Sequence, residues 1–227
     1  MTLVVVGNAA RFDINYATSA MSRFNMAPRE GHLKAAKRIL GYLKTFPKGR
    51  LLVDTSYPDH SQYPVEDHPN WSDFYPDAEE ELPPDMPVPR GKPVRITASV
   101  DADHAHDLVT RGFITGIVAL FNNTPIRWVC KRQKTVESST YGSELVAARV
   151  ATDLIVELRY TLRSLGVPVE GPALLLGDNM SVVLSTTVPS SVLKKKHCAI
   201  GYQPLRLGSH CSKGYEICPH QVRGEHS

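Results

Sequence analysis

The sequence predicts an α/β fold built on a mixed sheet, in which three antiparallel strands are followed by a helical crossover and a parallel fourth strand. Three observations lead to this prediction. Strand-like alternation begins just after residue 93, two further strand-like runs follow with a turn signal between them, and a long helical pattern precedes the apolar run "ALLLG". Strands with short connections pair antiparallel, whereas a strand reached through a helix pairs parallel, so the order of these segments determines the expected topology.

The first three strands are expected to form a meander. Val94, Ile96, Ala98 and Val100 point to one side of the first strand, and the apolar alternation stops at Asp101. The second strand covers about 112 to 121, "GFITGIVALF", and the turn signal "NNTP" leads to the third, "IRWVCKR".

A long helix is expected from about 140 to 165. Its apolar residues recur from Leu145 to Leu165 in steps of three and four, which places them on one face. "SST" at 138 to 140 supplies capping residues, and Gly166 with Pro168 ends the helix. The run "ALLLG" then ends at Asp178, and the following segment looks helical up to Pro189. The fourth strand should therefore lie parallel to the first.

Residues 57–93 are interpreted as an acidic, proline-rich linker. They contain nine of the 17 prolines and nine acidic residues against two basic ones, without helical or strand periodicity. The linker separates residues 1–56 from 94–227. Residues 1–56 contain one amphipathic basic helix, around Leu33 to Lys44, and are too short to bury a core of their own, so we expect them to pack on another surface.

Charge and composition limit the expected ligands, the expected location and the state of the cysteines. The net charge of +3 rises to +10 outside the linker, which is compatible with binding a polyanion and also with an ordinary solvated surface. No run approaches the roughly 20 apolar residues of a membrane span, so we expect no membrane partner and a cytoplasmic or nuclear location. The four cysteines show no paired spacing, which favours reduced thiols.

Three acidic residues are candidates for a metal site. Asp101 and Asp178 end two strands that are expected to lie near each other, and Glu144 lies in the first turn of the intervening helix. Three converging carboxylates repel one another unless a cation neutralises them, and hard oxygen ligands suit Mg²⁺ or Mn²⁺. Each residue could instead serve as a turn or cap, so spacing alone leaves both interpretations open. The other polar residues of "VDADHAHD" are interpreted as an exposed turn: Asp103, His104, His106 and Asp107.

Several motifs resemble copia-type retrotransposon polyproteins. The stretch "RFDINYATSAMSRFNMAPREGHLKAAKRILGYLKTFPKGRL" is similar to the segment just past the reverse transcriptase palm. "VDADHAHD", "KRQKTV", a glutamate nine residues after Thr135, "LLLGDN" and "LKKKH" resemble, in order and spacing, the ribonuclease H domain that follows it. The two resemblances together cover about 11 to 52 and 97 to 202.

The resemblance implies a ribonuclease H fold with Asp101, Glu144 and Asp178 as catalytic metal ligands for two Mg²⁺ or Mn²⁺ ions. Family members cut the RNA strand of an RNA/DNA hybrid, so the expected partners are such a hybrid and the rest of a Pol protein. Two basic clusters are reasonable phosphate contacts, although each can also be a solvated surface. They comprise Lys131, Arg132 and Lys134, and Lys194, Lys195 and Lys196. No aspartate pair of the polymerase type occurs, so polymerase activity is not expected.

The same resemblance divides the chain into four expected parts. They are a reverse transcriptase C-terminal fragment (thumb or connection) at 1–56, the linker at 57–93, a ribonuclease H-like domain at 94–202 and an aberrant tail at 203–227. The tail lacks the family's "NxAD" segment, so the final strand and helix of the fold are expected to be missing. Codons can be chosen for 207–227 whose next reading frame resembles that segment, which suggests a frameshift. His210, Cys211, Cys218 and His220 match no zinc-ligand spacing.

Two functions therefore stay open. The first is a hybrid-specific endoribonuclease domain that is impaired by the missing segment, since an unpaired sheet edge and a lost carboxylate would weaken it. The second is a catalytically inactive transposon relic that retains nucleic-acid binding. A scaffold unrelated to nucleic acids is a third and weaker interpretation.

Overall fold

The computed structural model describes residues 7, 11–61, 63, 82, 84–103, 113–133, 139–188 and 191, together with the backbone of 215–219. The described elements are a 3-10 turn at Phe12–Ile14, helices α1 (Asn15–Ser22), α2 (Glu30–Thr45), α3 (Thr140–Ser164) and α4 (Met180–Thr187), and strands β1 (Ile96–Asp103), β2 (Ile114–Phe121), β3 (Thr124–Arg132), β4 (Ala173–Gly177) and β5 (Tyr215–Pro219).

These strands form one mixed sheet with the order β3-β2-β1-β4-β5. β1 pairs antiparallel with β2, and β2 pairs antiparallel with β3, so the expected meander is confirmed. β4 lies parallel to β1, with Val100 opposite Gly177. The predicted α/β class and its helical crossover are therefore confirmed. β1 continues past the expected end at Asp101 to Asp103, because its pairing with β2 extends to Ile114.

α3 covers one face of the sheet and forms the main core. Alternate residues of β1, from Ile96 to Ala102, pack with Leu145, Ala151 and Ile155 of the helix. The small residues Ala147, Ala148 and Ala151 are buried here, which lets the helix approach the strands closely. Burial of this apolar stripe against β1 fixes the helix on the sheet, since burial of apolar surface is the main stabilising term.

The N-terminal segment packs against the sheet, with Phe12 and Tyr16 on the face that α3 does not cover. The Ser19 Oγ of α1 donates a hydrogen bond to the backbone carbonyl of Cys130 at 2.9 Å, and the indole Nε1 of Trp128 donates to the Gly7 carbonyl at 2.8 Å. Further along, the backbone N–H of Asp54 donates to Thr124 Oγ1 at 2.8 Å. The basic helix α2 packs on α1 and buries Ile39, while Leu33 and Leu40 are exposed. The boundaries at 56 and 93 stay predictions.

The expected absence of a final strand is wrong. The backbone of Tyr215–Pro219 pairs in parallel with β4, in register from Ala173 opposite Tyr215 to Gly177 opposite Pro219. The physical reason is that β4 would otherwise present a row of unpaired N–H and C=O groups, and a short extended segment satisfies them with little demand on side-chain pattern. The expected absence of the final helix concerns residues outside the described part of the chain.

Among the described residues, no helix combines the length and apolar character needed to cross a bilayer.

Candidate metal centre

Two acidic residues of the site lie where the pairing of the two central parallel strands ends. Val100 and Gly177 are opposite each other in β1 and β4, so the next residues along each strand, Asp101 and Asp178, emerge side by side. The neighbour of Asp101 on β2 is Gly116, which has no side chain to fill the space beside the carboxylate. The strand register therefore places both aspartates at one edge of the sheet, as predicted.

Asp178 lies at a sharp corner between β4 and α4. The next residue, Asn179, caps the helix, and its Oδ1 accepts hydrogen bonds from the backbone N–H groups of Ser181 at 3.0 Å and Val182 at 3.3 Å. An asparagine cap satisfies helix N–H groups that have no partner within the helix. This cap fixes the direction in which the chain leaves the strand, and with it the position of the aspartate.

Glu144 reaches the same edge from the first turns of α3. Ser139 caps this helix, with its Oγ accepting a hydrogen bond from the Gly142 N–H at 3.3 Å. Leu145 and Ala148 are buried against the sheet, so the adjacent glutamate is held half-buried beside the end of β1. Each of the three carboxylates is thus positioned by a separate element.

The three carboxylates form a compact cluster. One oxygen from each of Asp101, Glu144 and Asp178 lies within 4.8 Å of the others. Burial, followed by the charges of Asp178 and Asp101, raises the pKa of Glu144 to about 7. Burial and the Asp178 charge also raise the pKa of Asp101, while a hydrogen bond from the Ala102 backbone lowers the pKa of both groups.

This arrangement fits a divalent cation. Converging carboxylates with raised pKa values are stabilised in the charged form when a cation neutralises their repulsion. Oxygen donors on rigid elements suit Mg²⁺ or Mn²⁺, which retain several waters and accept substrate phosphate oxygens as further ligands. Asp103, two residues beyond Asp101 on β1, is exposed and is not part of the cluster.

Only some of the residues that are predicted to contact phosphate lie in the described part of the chain. Lys131 and Arg132 are exposed at the end of β3. In the sheet they lie level with Thr115 and Ile114 of β2, two strands away from the end of β1. Lys134 and the run Lys194, Lys195 and Lys196 fall outside the described residues, as do His104, His106 and Asp107.

Gln133 also supports the site, and the sequence alone did not indicate this role. Its side-chain Nε2 donates hydrogen bonds to the Ser143 carbonyl at 2.8 Å and to Thr115 Oγ1 at 3.1 Å. Ser143 directly precedes Glu144, so this buried amide ties the start of α3 to β2. The only sequence signal was the position of Gln133 in the "KRQKTV" motif.

A groove of about 580 Å³ leads away from the acidic edge across the face of the sheet that α3 does not cover. Asp101, Asp103 and Asp178 lie at one end, and Phe12, Tyr16 and Trp128 line the other parts of it. Asp101 and Asp178 are exposed, so a ligand can reach these two carboxylates from solvent.

Sequence comparison finds similarity to retrotransposon polyproteins. The chain is 26% identical over 196 residues to the retrovirus-related Pol polyprotein from transposon RE1 of Arabidopsis thaliana, and 23% identical over 196 residues to that from transposon RE2. Each alignment covers 86% of this chain, which spans only 11% of the length of these relatives. The putative transposon Ty5-1 protein YCL074W of Saccharomyces cerevisiae is 36% identical over 80 residues, covering 32% of this chain and 26% of that protein. No protein-family model matches the chain.

Comparison with solved structures finds ribonucleases H. Ribonuclease H1 from the halophilic archaeon Halobacterium salinarum NRC-1 aligns with a TM-score of 0.42 and 11% identity, covering 56% of this chain and 86% of that one. LC11-RNase H1, solved in complex with an RNA/DNA hybrid, aligns with a TM-score of 0.44 and 9% identity over 56% of this chain and 86% of that one.

Proposed function

We propose that this chain, whose homologues are retrotransposon Pol polyproteins, contains a ribonuclease H-like domain that hydrolyses the RNA strand of an RNA/DNA hybrid. The observation that carries the proposal is the meeting of Asp101, Glu144 and Asp178 within 4.8 Å, from three elements separated in sequence. The proposal extends to a location in the cytoplasm or nucleus and to the remainder of a Pol protein as a partner.

Each carboxylate has a defined task in this proposal. Asp101 and Asp178 follow the last paired residues of β1 and β4, line the groove and are exposed, so a phosphodiester can reach them. Glu144, half-buried behind them, would close the inner side of the site. When bound, two divalent ions supply activation of the attacking water and stabilisation of the leaving oxygen. The protein contributes ligands that are fixed before substrate arrives, which lowers the cost of reaching the reactive geometry.

Selection of the RNA strand requires recognition of the ribose 2′-hydroxyl, because this group distinguishes RNA from DNA at a given position. Polar groups at the acidic end of the groove, including Ser99 and Asp103, are candidates to contact it. The basic residues Lys131 and Arg132 would contact the phosphate backbone without reading sequence.

A cleavage assay tests the proposal. The parent protein is incubated with a labelled RNA/DNA hybrid and Mg²⁺ or Mn²⁺, in parallel with Asp101→Asn, Asp178→Asn and Asp153→Asn. Asp153 is an exposed α3 residue paired with Arg149 at 2.9 Å, so its substitution makes the same chemical change outside the cluster. We expect cleavage by the parent and the Asp153 variant, and a loss of at least about a hundredfold in the two cluster variants.

The assay also separates the proposed enzyme from an inactive nucleic-acid-binding relic. A parent protein that binds the hybrid in a salt-dependent manner and does not cut it with either metal would support the relic and reject the enzyme. Equal cleavage by Asp101→Asn and Asp153→Asn would show that the acidic cluster is not the catalytic site.

A further inference from the structure

We propose that the cleft between α1 and the end of β3 is a phosphate-binding site for the nucleic-acid backbone, with Arg23, Lys131 and Arg132 as its cationic residues. This inference rests on the proposed function, because it takes the nucleic acid as the ligand. The new element is Arg23, a residue of the N-terminal segment, which would bind phosphate together with Lys131 and Arg132 of the sheet.

The cleft has a volume of about 280 Å³ and lies where α1 crosses the edge strand β3. Its lining residues are Tyr16, Ser19, Ala20, Ser22 and Arg23 from the N-terminal segment and Ile114, Cys130, Lys131 and Arg132 from the sheet. Three of these are cationic, and none of the described lining residues is acidic. Such a concentration of positive charge in a concave surface raises the local concentration of anions.

α1 is held on β3 by specific contacts, so the cleft is a fixed feature of the fold. The Ser19 Oγ donates a hydrogen bond to the Cys130 carbonyl of β3 at 2.9 Å. Just before α1, the ring of Phe12 packs on Trp128 with centroids 5.9 Å apart. These contacts determine where the end of α1 lies relative to the sheet.

Arg23 follows the last residue of α1 and lines the cleft together with Cys130, Lys131 and Arg132 of β3. Burial raises the pKa of the Cys130 thiol, whereas the Ser19 hydrogen bond and the Arg23 charge lower it. An arginine suits a phosphate ligand because its planar donors can form two parallel hydrogen bonds to phosphate oxygens. Lys131 and Arg132 supply further charge from the opposite wall.

The position of the cleft relative to the acidic cluster fits one continuous ligand. Asp101 is opposite Gly116, which is opposite Cys130, so the cleft begins two strands from the carboxylates, about 10 Å at the usual strand spacing. The groove at the acidic edge and the cleft share Tyr16, Ile114 and Cys130. A backbone that places one phosphate at the carboxylates can therefore place another phosphate of the same strand in the cleft.

The experiment measures binding of a labelled RNA/DNA hybrid to the full chain by fluorescence anisotropy, in EDTA so that cleavage does not interfere. Arg23→Gln is compared with Lys92→Gln, which removes one charge from an exposed residue near the opposite end of β1. We expect Arg23→Gln to weaken binding about three- to tenfold and to reduce the slope of log affinity against log salt by about one. Lys92→Gln should leave both quantities close to those of the parent.

Equal binding by Arg23→Gln and Lys92→Gln would overturn the proposal. If circular dichroism shows that Arg23→Gln does not fold, the exposed Lys131→Gln and Arg132→Gln variants test the same cleft, and parent-like binding by both would reject it. The binding and cleavage results are separable. Hybrid cleavage by the parent with no effect of the cleft variants would reject the phosphate site alone, whereas cleft-dependent binding without cleavage would reject the catalytic proposal alone.

Discussion

Glu144 connects the chemistry of the site to the pH of the solution. Its carboxyl is half-buried and faces two aspartates, and its pKa is about 7 in the folded protein without a bound cation. The ordinary value in an unfolded chain is near 4.3. Glu144 is therefore protonated in the folded, metal-free protein over a range in which it is ionised after unfolding.

This difference predicts how stability depends on pH. Because the folded pKa is raised, Glu144 contributes stability that is fully present below about pH 4.3 and is lost as the pH rises through 7. We compare the free energies of unfolding of Glu144→Gln and the parent in EDTA. The value for Glu144→Gln minus that for the parent should be larger at pH 8 than at pH 5, by about 1–2 kcal/mol after allowance for solvent screening. Urea denaturation of both proteins at each pH measures the difference. A constant difference between them would contradict the prediction.

The same carboxyl predicts the pH dependence of cation binding. A cation and a proton compete for Glu144, so the apparent affinity for Mn²⁺ should fall as the pH drops below about 7. Calorimetric titration of the parent at pH 6 and pH 8 measures this change. Glu144→Gln should bind more weakly at pH 8 and show a smaller change between the two pH values.

Gln133 provides a test of how the cluster is positioned. Replacement by Leu removes the hydrogen bonds to the Ser143 carbonyl and to Thr115, leaving buried polar groups unpaired, so we expect a loss of about 1–3 kcal/mol in unfolding free energy. It should also weaken Mn²⁺ binding, because the start of α3 carries Glu144. Thr115→Val is the control, since it removes only one of the two contacts. Reduced stability with unchanged Mn²⁺ affinity would show that Gln133 does not position Glu144.

At the scale of elements, the turn between β2 and β3 shows how local sequence determines the meander. Asn122 has a φ of 53°, in the left-handed region that asparagine tolerates better than most residues. Its Oδ1 accepts from the Arg95 N–H at 2.9 Å, and its Nδ2 donates to the Thr55 carbonyl at 3.2 Å. One residue thus sets the turn and ties it to the residue before β1 and to the N-terminal segment.

Two substitutions of Asn122 separate these contributions. Asn122→Gly keeps the backbone conformation accessible and removes the side-chain hydrogen bonds, for an expected cost of about 1–2 kcal/mol. Asn122→Ala removes the same bonds and adds strain at positive φ, so it should cost about 1 kcal/mol more. Denaturation midpoints of the two variants measure the order, and an alanine variant that is as stable as the glycine variant would contradict it.

The sequence was informative wherever short-range pattern determines structure. Strand alternation, the "NNTP" turn and the helical steps from Leu145 predicted β1 to β4 and α3, because periodicity and turn chemistry are local properties. The acidic cluster could be predicted because residues that follow opposite positions of neighbouring parallel strands, as Asp101 and Asp178 do, lie at the same edge of the sheet. β5 and the roles of Gln133 and Arg23 depend on pairing with distant segments, which no local pattern in their own stretches encodes.

At the scale of the whole molecule, the N-terminal segment and the sheet are expected to unfold together. The N-terminal segment contacts β3 through Ser19 and Asp54, which bond to the Cys130 carbonyl and to Thr124 Oγ1. It contacts β1 through His60, whose ring nitrogen lies 3.2 Å from Thr97 Oγ1. Contacts to both β3 and β1 favour one cooperative transition. Thermal unfolding followed by far-ultraviolet circular dichroism and by tryptophan fluorescence should give coincident midpoints. A separate, earlier transition would indicate that the segment is an independent unit.

The pairing of β1 with β4 has a kinetic consequence. Asp101 and Asp178 are 77 residues apart in the chain, and they meet only after the crossover through α3 has closed that loop. Closing long loops before their contacts form is slow, so assembly of the centre should be a late event in folding. A cation that binds only the finished arrangement should then prolong the lifetime of the native state and hardly change the refolding rate.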